Sequence, residues 1–547
     1  MGKNVNICVD AKKSLGVQDH LWRYIGYDEC NYSYIPEGRT LLKKFAALEE
    51  KPCYVRTHFM LCTGNCHGTY KFGSTNIYWE DENGDPVYDF TYFDMIIDSI
   101  LDCGDLPFIE IGFMPLALAD RSYFPENAGY GYYKDQGWAA PPKDYDKWYG
   151  LIEAIALHLK EKHGEEAVNR WYFELWNEPD IFYFKGTASE YCKLFDYTEA
   201  ALHAVLPDAR LAGPAATGPF EGNHSYELMD AFFQHCSGGV NFRTGAVGTR
   251  LDFITYHAKG GGFNFEMHAK KEVPSVESLL YQIRLGMDLA VKYGYRDREI
   301  VLSEADPDGW AAGGFYDNEN MIFRNTEYYA SYVASSYEKI DELAHEYGMT
   351  VRPLAWAFMF PGERMFEGTR TFSTQGVNKP VFNLFRLYGM LGDEKLAFLS
   401  DGARGIKEAY GSQPVPKGIR YTGEGEETDV SGFAVRGADG ETQILVYSHN
   451  NDRDKAEMTG VTLKVEGLSA DSVQVTEYRI DPDHSNARKA WIEAGKPLFP
   501  DGAEYEKIKA ADELSCMMKD QNCSVENGTL TIQETVPAHS VSLFIIH

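Results

Sequence analysis

RWYFELWNEPD, residues 170–180, reads as a buried strand that stops on a carboxylate. Trp171, Phe173 and Leu175 alternate with Tyr172, Glu174 and Trp176, and large aromatics suit a pleated, buried surface. The alternation ends at Asn177-Glu178-Pro179. Pro179 lacks a backbone donor and keeps Glu178 out of helical geometry, so Asn177 and Glu178 sit at the strand's carboxyl end. A carboxylate at the mouth of a parallel barrel, beside an amide and tryptophans, is placed for acid/base chemistry on a sugar. The competing reading is a plain surface turn.

Working outward, apolar strands alternate with helical stretches from Tyr24 onward, the pattern of parallel β/α units. YVRTHFML, PFIEIGFMP, ARLAGPAA, LDFITYHA, REIVLSEAD and RPLAWAFMF join the first strand at Tyr24 and the 170–176 strand to make eight units. This predicts a (β/α)8 TIM barrel over residues 21–395. Insertions at 64–90 and 119–142 are long enough to wall a pocket. After about residue 395 short alternating segments separated by turns predict an all-β sandwich over 396–547. Residues 1–20 contain an alternating strand expected to pair with that second domain.

Glu304, in IVLSEADPDGW, ends the seventh strand as Glu178 ends the fourth. A double displacement needs a second carboxylate about 5 to 5.5 Å from the first, and Glu304 is the candidate nucleophile with Glu178 as acid/base. Two carboxylates that close do not readily both ionise, so Glu178 keeps its proton while Glu304 carries the charge.

The chain has 547 residues, 44% of them hydrophobic and 14% aromatic, which allows a large barrel core and platforms for sugar rings. A formal net charge of −30 without a basic run argues against nucleic acid and anionic membrane as partners. No apolar stretch long enough to span a membrane occurs, and the amino terminus, lacking an apolar leader core, reads as that of a cytoplasmic protein. The ten cysteines form no zinc ribbon or disulfide framework. Cys62 and Cys66 with His58 and His67 are the one cluster resembling a metal site, and chance explains it better. No metal or cofactor is expected.

The phrases IGYDECNYSYIPEG, YVRTHFML, FGSTNIYWEDENGDPVYD, IEIGFMPLAL and RWYFELWNEPD resemble glycoside hydrolase family 39, the β-xylosidases and α-L-iduronidases of clan A. The resemblance covers about residues 20–390 and is weak in the sandwich. It implies Glu178 as acid/base, Glu304 as nucleophile and Asn177 as ligand to the sugar 2-hydroxyl. One departure concerns substrate: this chain has Ser-Glu-Ala-Asp-Pro-Asp, where many members carry threonine before the glutamate and asparagine after it.

Further candidates for substrate binding lie at strand ends, each with a packing role as the rival reading: His58 on strand two, Phe113 on strand three, Tyr256 and His257 on strand six, and Trp356 on strand eight. Glu363, in the loop after Trp356, joins them through the family resemblance. The expected activity is a retaining exo-glycosidase releasing β-linked xylose from short xylo-oligosaccharides. The alternatives are the same machinery on an α-L-iduronide or arabinose-type glycoside, and a non-catalytic sugar-binding barrel. An iduronide would need a cation for its carboxylate, with Lys71, Lys185 and Arg364 as candidates. Whether the chain forms a homo-oligomer is left open.

Overall fold

The computed structural model describes residues 4–27, 29–66, 73–124, 137–261, 270–309, 314, 318–357, 361–368, 371–406 and 420–547. Eight parallel barrel strands run through the first part: Tyr24–Tyr27, Tyr54–Thr57, Leu106–Ile111, Tyr172–Leu175, Arg210–Ala216, Phe253–His257, Ile300–Glu304 and a broken eighth. The eighth consists of Val351–Pro353 and Ala355–Trp356, interrupted at Leu354. Its first half pairs with strand seven and its second half with strand one, which closes the circle. The expected TIM barrel is therefore present.

Side-chain parity explains how the barrel fills. Phe173 and Leu175 face outward and join the large core under the helices, whereas Tyr172 faces the lumen. Tyr24, Phe108, Tyr172, Ala212, Phe253, Val301 and Leu354 form one apolar layer at the amino ends of the strands. Two residues further along, the lumen holds Arg56, Glu110 and Glu174, all fully buried. The layer nearest the carboxyl ends is thus charged, and the apolar layer beneath it seals the floor.

The second domain is an all-strand sheet that closes on itself. Asn4–Val17 belongs to it, running antiparallel to Glu394–Ser400 and parallel to Met458–Glu466. The long helix Glu327–Tyr347, which follows strand seven, packs this sheet against the barrel. Tyr328 donates to the Asn451 carbonyl at 2.9 Å and Lys339 pairs with Asp429 at 3.0 Å. Trp491, the lone tryptophan of this domain, is buried against Phe366 of the barrel loops. No helix among the described residues is long and apolar enough to cross a membrane.

Candidate active site

The fourth strand delivers Glu178 through a left-handed kink. Trp176 has φ 69° and Glu178 φ 47°, conformations that cost non-glycine residues energy and persist where surroundings over-determine them. The Glu178 amide donates to Ala215 O of strand five at 2.8 Å. Asp180 accepts from the Thr217 amide at 2.8 Å and from the Thr217 hydroxyl. The turn is clasped from the neighbouring strand on both sides of the carboxylate.

Strand seven uses a different device. Val301 faces the lumen, so unbroken alternation would turn Ser303 inward and Glu304 toward the helices. The register against strand six shifts between Leu302 and Glu304, which sets Glu304 opposite His257. Such an irregularity re-aims a side chain. Glu304 is buried, and one oxygen of each glutamate together with one nitrogen of His257 all lie within 4.8 Å of one another. His257 Nδ1 is 3.0 Å from Glu178 Oε1 and 3.7 Å from Glu304 Oε2.

The centre of the site is a residue that sequence reasoning missed. Arg56 is fully buried and holds Glu174 at 2.6 Å, Glu110 at 3.2 Å and Glu304 at 3.6 Å. It also donates to Asn177 Oδ1 at 3.0 Å and meets His58 Nε2 at 2.8 Å. Burial alone would push the guanidinium down, but Glu174, Glu110 and Glu304 outweigh it and hold it above its ordinary range. Parity was the available signal: Arg56 and His58 share one face of YVRTH, so the face that carries the histidine also carries the arginine.

Lys259 was missed as well. Its ammonium lies 2.7 Å from Glu304 Oε2 and 2.8 Å from Asp306 Oδ2. Gln282 fixes its backbone, accepting from the Lys259 amide at 3.1 Å and donating to its carbonyl at 2.6 Å. Behind Asp306, the buried Arg324 stands 3.6 Å away and pairs with Asp308 at 2.7 Å. Lys259 is two residues beyond His257, again the same parity.

Of the residues expected from sequence, Glu178, Glu304, Asn177, His58 and His257 come together around Arg56. Tyr256 does not. Its parity is outward, and its hydroxyl donates to Ile283 O of the helix layer at 2.7 Å, over Gly286, where a Cβ would fall 2.2 Å from its ring. Trp356 is fully buried in the lumen, 4.9 Å from the His58 ring and over Gly26 of strand one, so it presents no open stacking face. Phe113 is buried among Phe59, Trp138 and Trp176. The Glu363 carboxylate accepts from the Gly368 amide at 2.9 Å and from the Thr371 hydroxyl at 3.4 Å, tying its own loop. Burial raises Glu363, and burial lowers the neighbouring Lys379 to about 8.

Among the expected cations, Lys185 donates to Tyr123 O at 3.2 Å and Arg364 pairs with Glu367, both occupied elsewhere. Lys71 lies outside the described residues, as do His67 of the candidate metal cluster and parts of both insertions. Within that cluster His58 is committed to Arg56, and Cys66 accepts from Asn76 Nδ2 at 3.1 Å. The Glu178–His257–Glu304 group could offer three metal donors, but a cation there would have to compete with the Lys259 ammonium already on Glu304. What the arrangement can do chemically is present two carboxyl groups to a substrate atom between them.

The sequence profile of Glycosyl hydrolases family 39 matches residues 5–518. A β-xylosidase from Geobacillus stearothermophilus is 26% identical over 438 residues, 78% of this chain and 74% of the relative. The human α-L-iduronidase is 26% identical over 390 residues, 67% of this chain and 55% of the relative. In structure, a β-xylosidase from Caulobacter crescentus CB15 superposes with a TM-score of 0.75 at 20% identity, covering 99% of each chain, a likeness of fold.

Proposed function

The chain belongs to glycosyl hydrolases family 39, and on that footing we propose that it is a retaining exo-glycosidase whose pocket takes an α-L-iduronide-type uronide. It is a glycosidase by family. The finer reading rests on one observation, the Lys259 ammonium held 2.7 Å from Glu304.

β-D-Xylosides and α-L-iduronides share their ring stereochemistry from C1 to C4 and differ at C5, where the iduronide carries a carboxylate. Choosing between them is therefore a question of charge beside one edge of the ring. An ammonium on the nucleophile acts on Glu304 whichever sugar is bound, but only a uronate brought next to Glu304 and Asp306 would be repelled without one. Lys259 supplies that cation, and the departure noted around the nucleophile supplies the aspartate that orients it.

Glu178 donates a proton to the glycosidic oxygen while Glu304 attacks C1. The short separation of the pair supports a covalent intermediate, since an inverting pair stands about 6.5 to 9.5 Å apart to admit water. Glu178 then takes a proton from the water that releases the sugar. Asn177, held by Arg56, is positioned for the 2-hydroxyl, a contact worth most in the oxocarbenium-like transition state. The β-xyloside expected from sequence remains the second reading, favoured by the 26% identical β-xylosidase.

The test is a panel of aryl α-L-iduronide, β-D-xyloside and α-L-arabinoside against wild type, Lys259→Met, Glu178→Ala and Glu304→Ala. The uronide should be preferred by wild type, and Lys259→Met should reverse that preference by roughly 10- to 100-fold, the worth of a charge-assisted hydrogen bond. Azide should rescue Glu178→Ala with retained and Glu304→Ala with inverted configuration. Preference for the xyloside, unaltered by Lys259→Met, would assign the second reading. Full activity in both glutamate variants would remove the mechanism.

A further inference from the structure

The loop that follows Glu178 carries an aromatic ring to the surface and holds it there. Phe182 is 53% exposed although it lies only four residues beyond Glu178. Its loop is fixed along its length. The Ile181 amide donates to Glu178 O at 3.2 Å, the Phe184 amide to Ile181 O at 3.2 Å, and the Lys185 amide to Ala139 O at 2.8 Å. Trp176 Nε1 donates to Tyr183 O at 3.0 Å.

A chain of ring contacts runs from the barrel rim to this position. Phe113 meets Trp138 at 4.7 Å, Trp138 meets Tyr183 at 5.5 Å, and Tyr183 meets Phe182 edge-on at 4.6 Å. Phe113 and Trp138 are buried. An exposed ring backed by a fixed loop and a buried aromatic stack is a ready surface, at low entropic cost, for a flat apolar partner.

The reaction geometry says which partner. The glycosidic oxygen must lie at the Glu178 carboxyl to receive its proton, so the leaving group extends from that oxygen over the Glu178 side of the mouth. We propose that Phe182, backed by Tyr183, is the platform on which the pyranose ring of the leaving saccharide stacks its C–H face. The inference rests on the reading of Glu178 as proton donor and deepens it by adding a subsite for the leaving group.

The experiment compares two substrates of the same donor sugar, a disaccharide and the glycosyl fluoride, which has no leaving sugar to stack. For Phe182→Ala the ratio of kcat/KM on the disaccharide to kcat/KM on the fluoride should fall roughly tenfold, in keeping with the loss of one stacking contact. Phe182→Trp should restore the ratio. An equal fall on both substrates would overturn the proposal by showing that the ring merely supports the loop. An unchanged ratio, with wild type cleaving both substrates, would overturn it too while leaving the function intact. Failure of wild type to cleave either substrate for any donor of the panel would remove the reading of Glu178, and the platform with it.

Discussion

His257 presents Nδ1 to Glu178 at 3.0 Å while its Nε2 is buried with no hydrogen-bond partner among the described residues. In the tautomer with its proton on Nδ1, the ring can donate to one of the two carboxylates at a time. Glu178 is a far better acceptor once it has lost its proton to the leaving group. The hydrogen bond thus belongs chiefly to the second half of the proposed reaction.

Replacing His257 with alanine should slow release of the sugar from Glu304 more than its attachment. The glycosyl-enzyme should accumulate in intact-protein mass spectrometry, with a burst of leaving group and a steady rate about 10- to 100-fold lower. A loss confined to the first turnover would contradict this role.

Arg56→Met should cost about 3 to 5 kcal/mol of stability, because it leaves Glu110 and Glu174 buried beside a lost cation. Arg56→Lys should recover part of that stability but little activity. A point charge cannot hold Glu174, Asn177 and His58 simultaneously, as the guanidinium does. Thermal melts and the rate of Glu304 glycosylation read the two effects separately.

Asp105, 1% exposed at the amino end of strand three, is pushed up to about 8 by burial. In the unfolded chain an aspartate ionises near about 4. Its contribution is therefore fully present below about pH 4 and is lost as pH rises toward 8. Asp105→Asn should melt with wild type at the acid end of that window and well above it at pH about 8. Parallel melting curves at both pH values would show that Asp105 is not the group responsible.

An opposite dependence should come from the contact between the two domains. His449 accepts from or donates to the Ser331 hydroxyl at 2.9 Å beneath Tyr328, and His539 packs beside it. Burial lowers both, His539 to about 4. A free histidine protonates near about 6.5, so the stability these neutral rings contribute is complete above that value and is lost as pH falls through about 4. His539→Phe should flatten the acid side of a Tm–pH profile. An unchanged acid limb would place the sensitive groups elsewhere.

The barrel was legible because its eight strands repeat one pattern, apolar residues feeding into a carboxyl-end loop. Glu178 could be read from the same grammar, since Asn177-Glu178-Pro179 closes the strand, although the left-handed kink at Trp176 and Glu178 breaks the alternation before the carboxylate. Tyr256 and His257 are neighbours on one strand, and neighbours point to opposite faces, so the Tyr256 hydroxyl meets Ile283 of the helix layer while His257 meets the carboxylates. Arg56 and Lys259 were passed over for a related reason. A charge in a strand looks like a solvated residue unless its parity is counted, and here parity sends Arg56 into the lumen, while Lys259 lies two residues beyond the end of strand six. The shift that re-aims Glu304 left no mark in the sequence. Nor did the burial of Trp356, which depends on Gly26 across the barrel seam rather than on anything near the tryptophan itself.

The first strand has a consequence for synthesis. Val5 pairs with Val461, and Ile7 with both Leu463 and Ser400. At about 5 to 20 residues per second, the ribosome delivers Val461 roughly 20 to 90 s after Val5. Through that interval the strand has an unsatisfied edge on each side while the whole barrel forms downstream of it. A fragment begun at residue 396 would lack a strand bonded on both edges and would expose Val461, Leu463 and Val465 to the first hydrophobic edge it met. Dissecting this enzyme into autonomous halves therefore calls for circular permutation, with Asn4–Val17 rejoined behind Ile546, rather than for truncation.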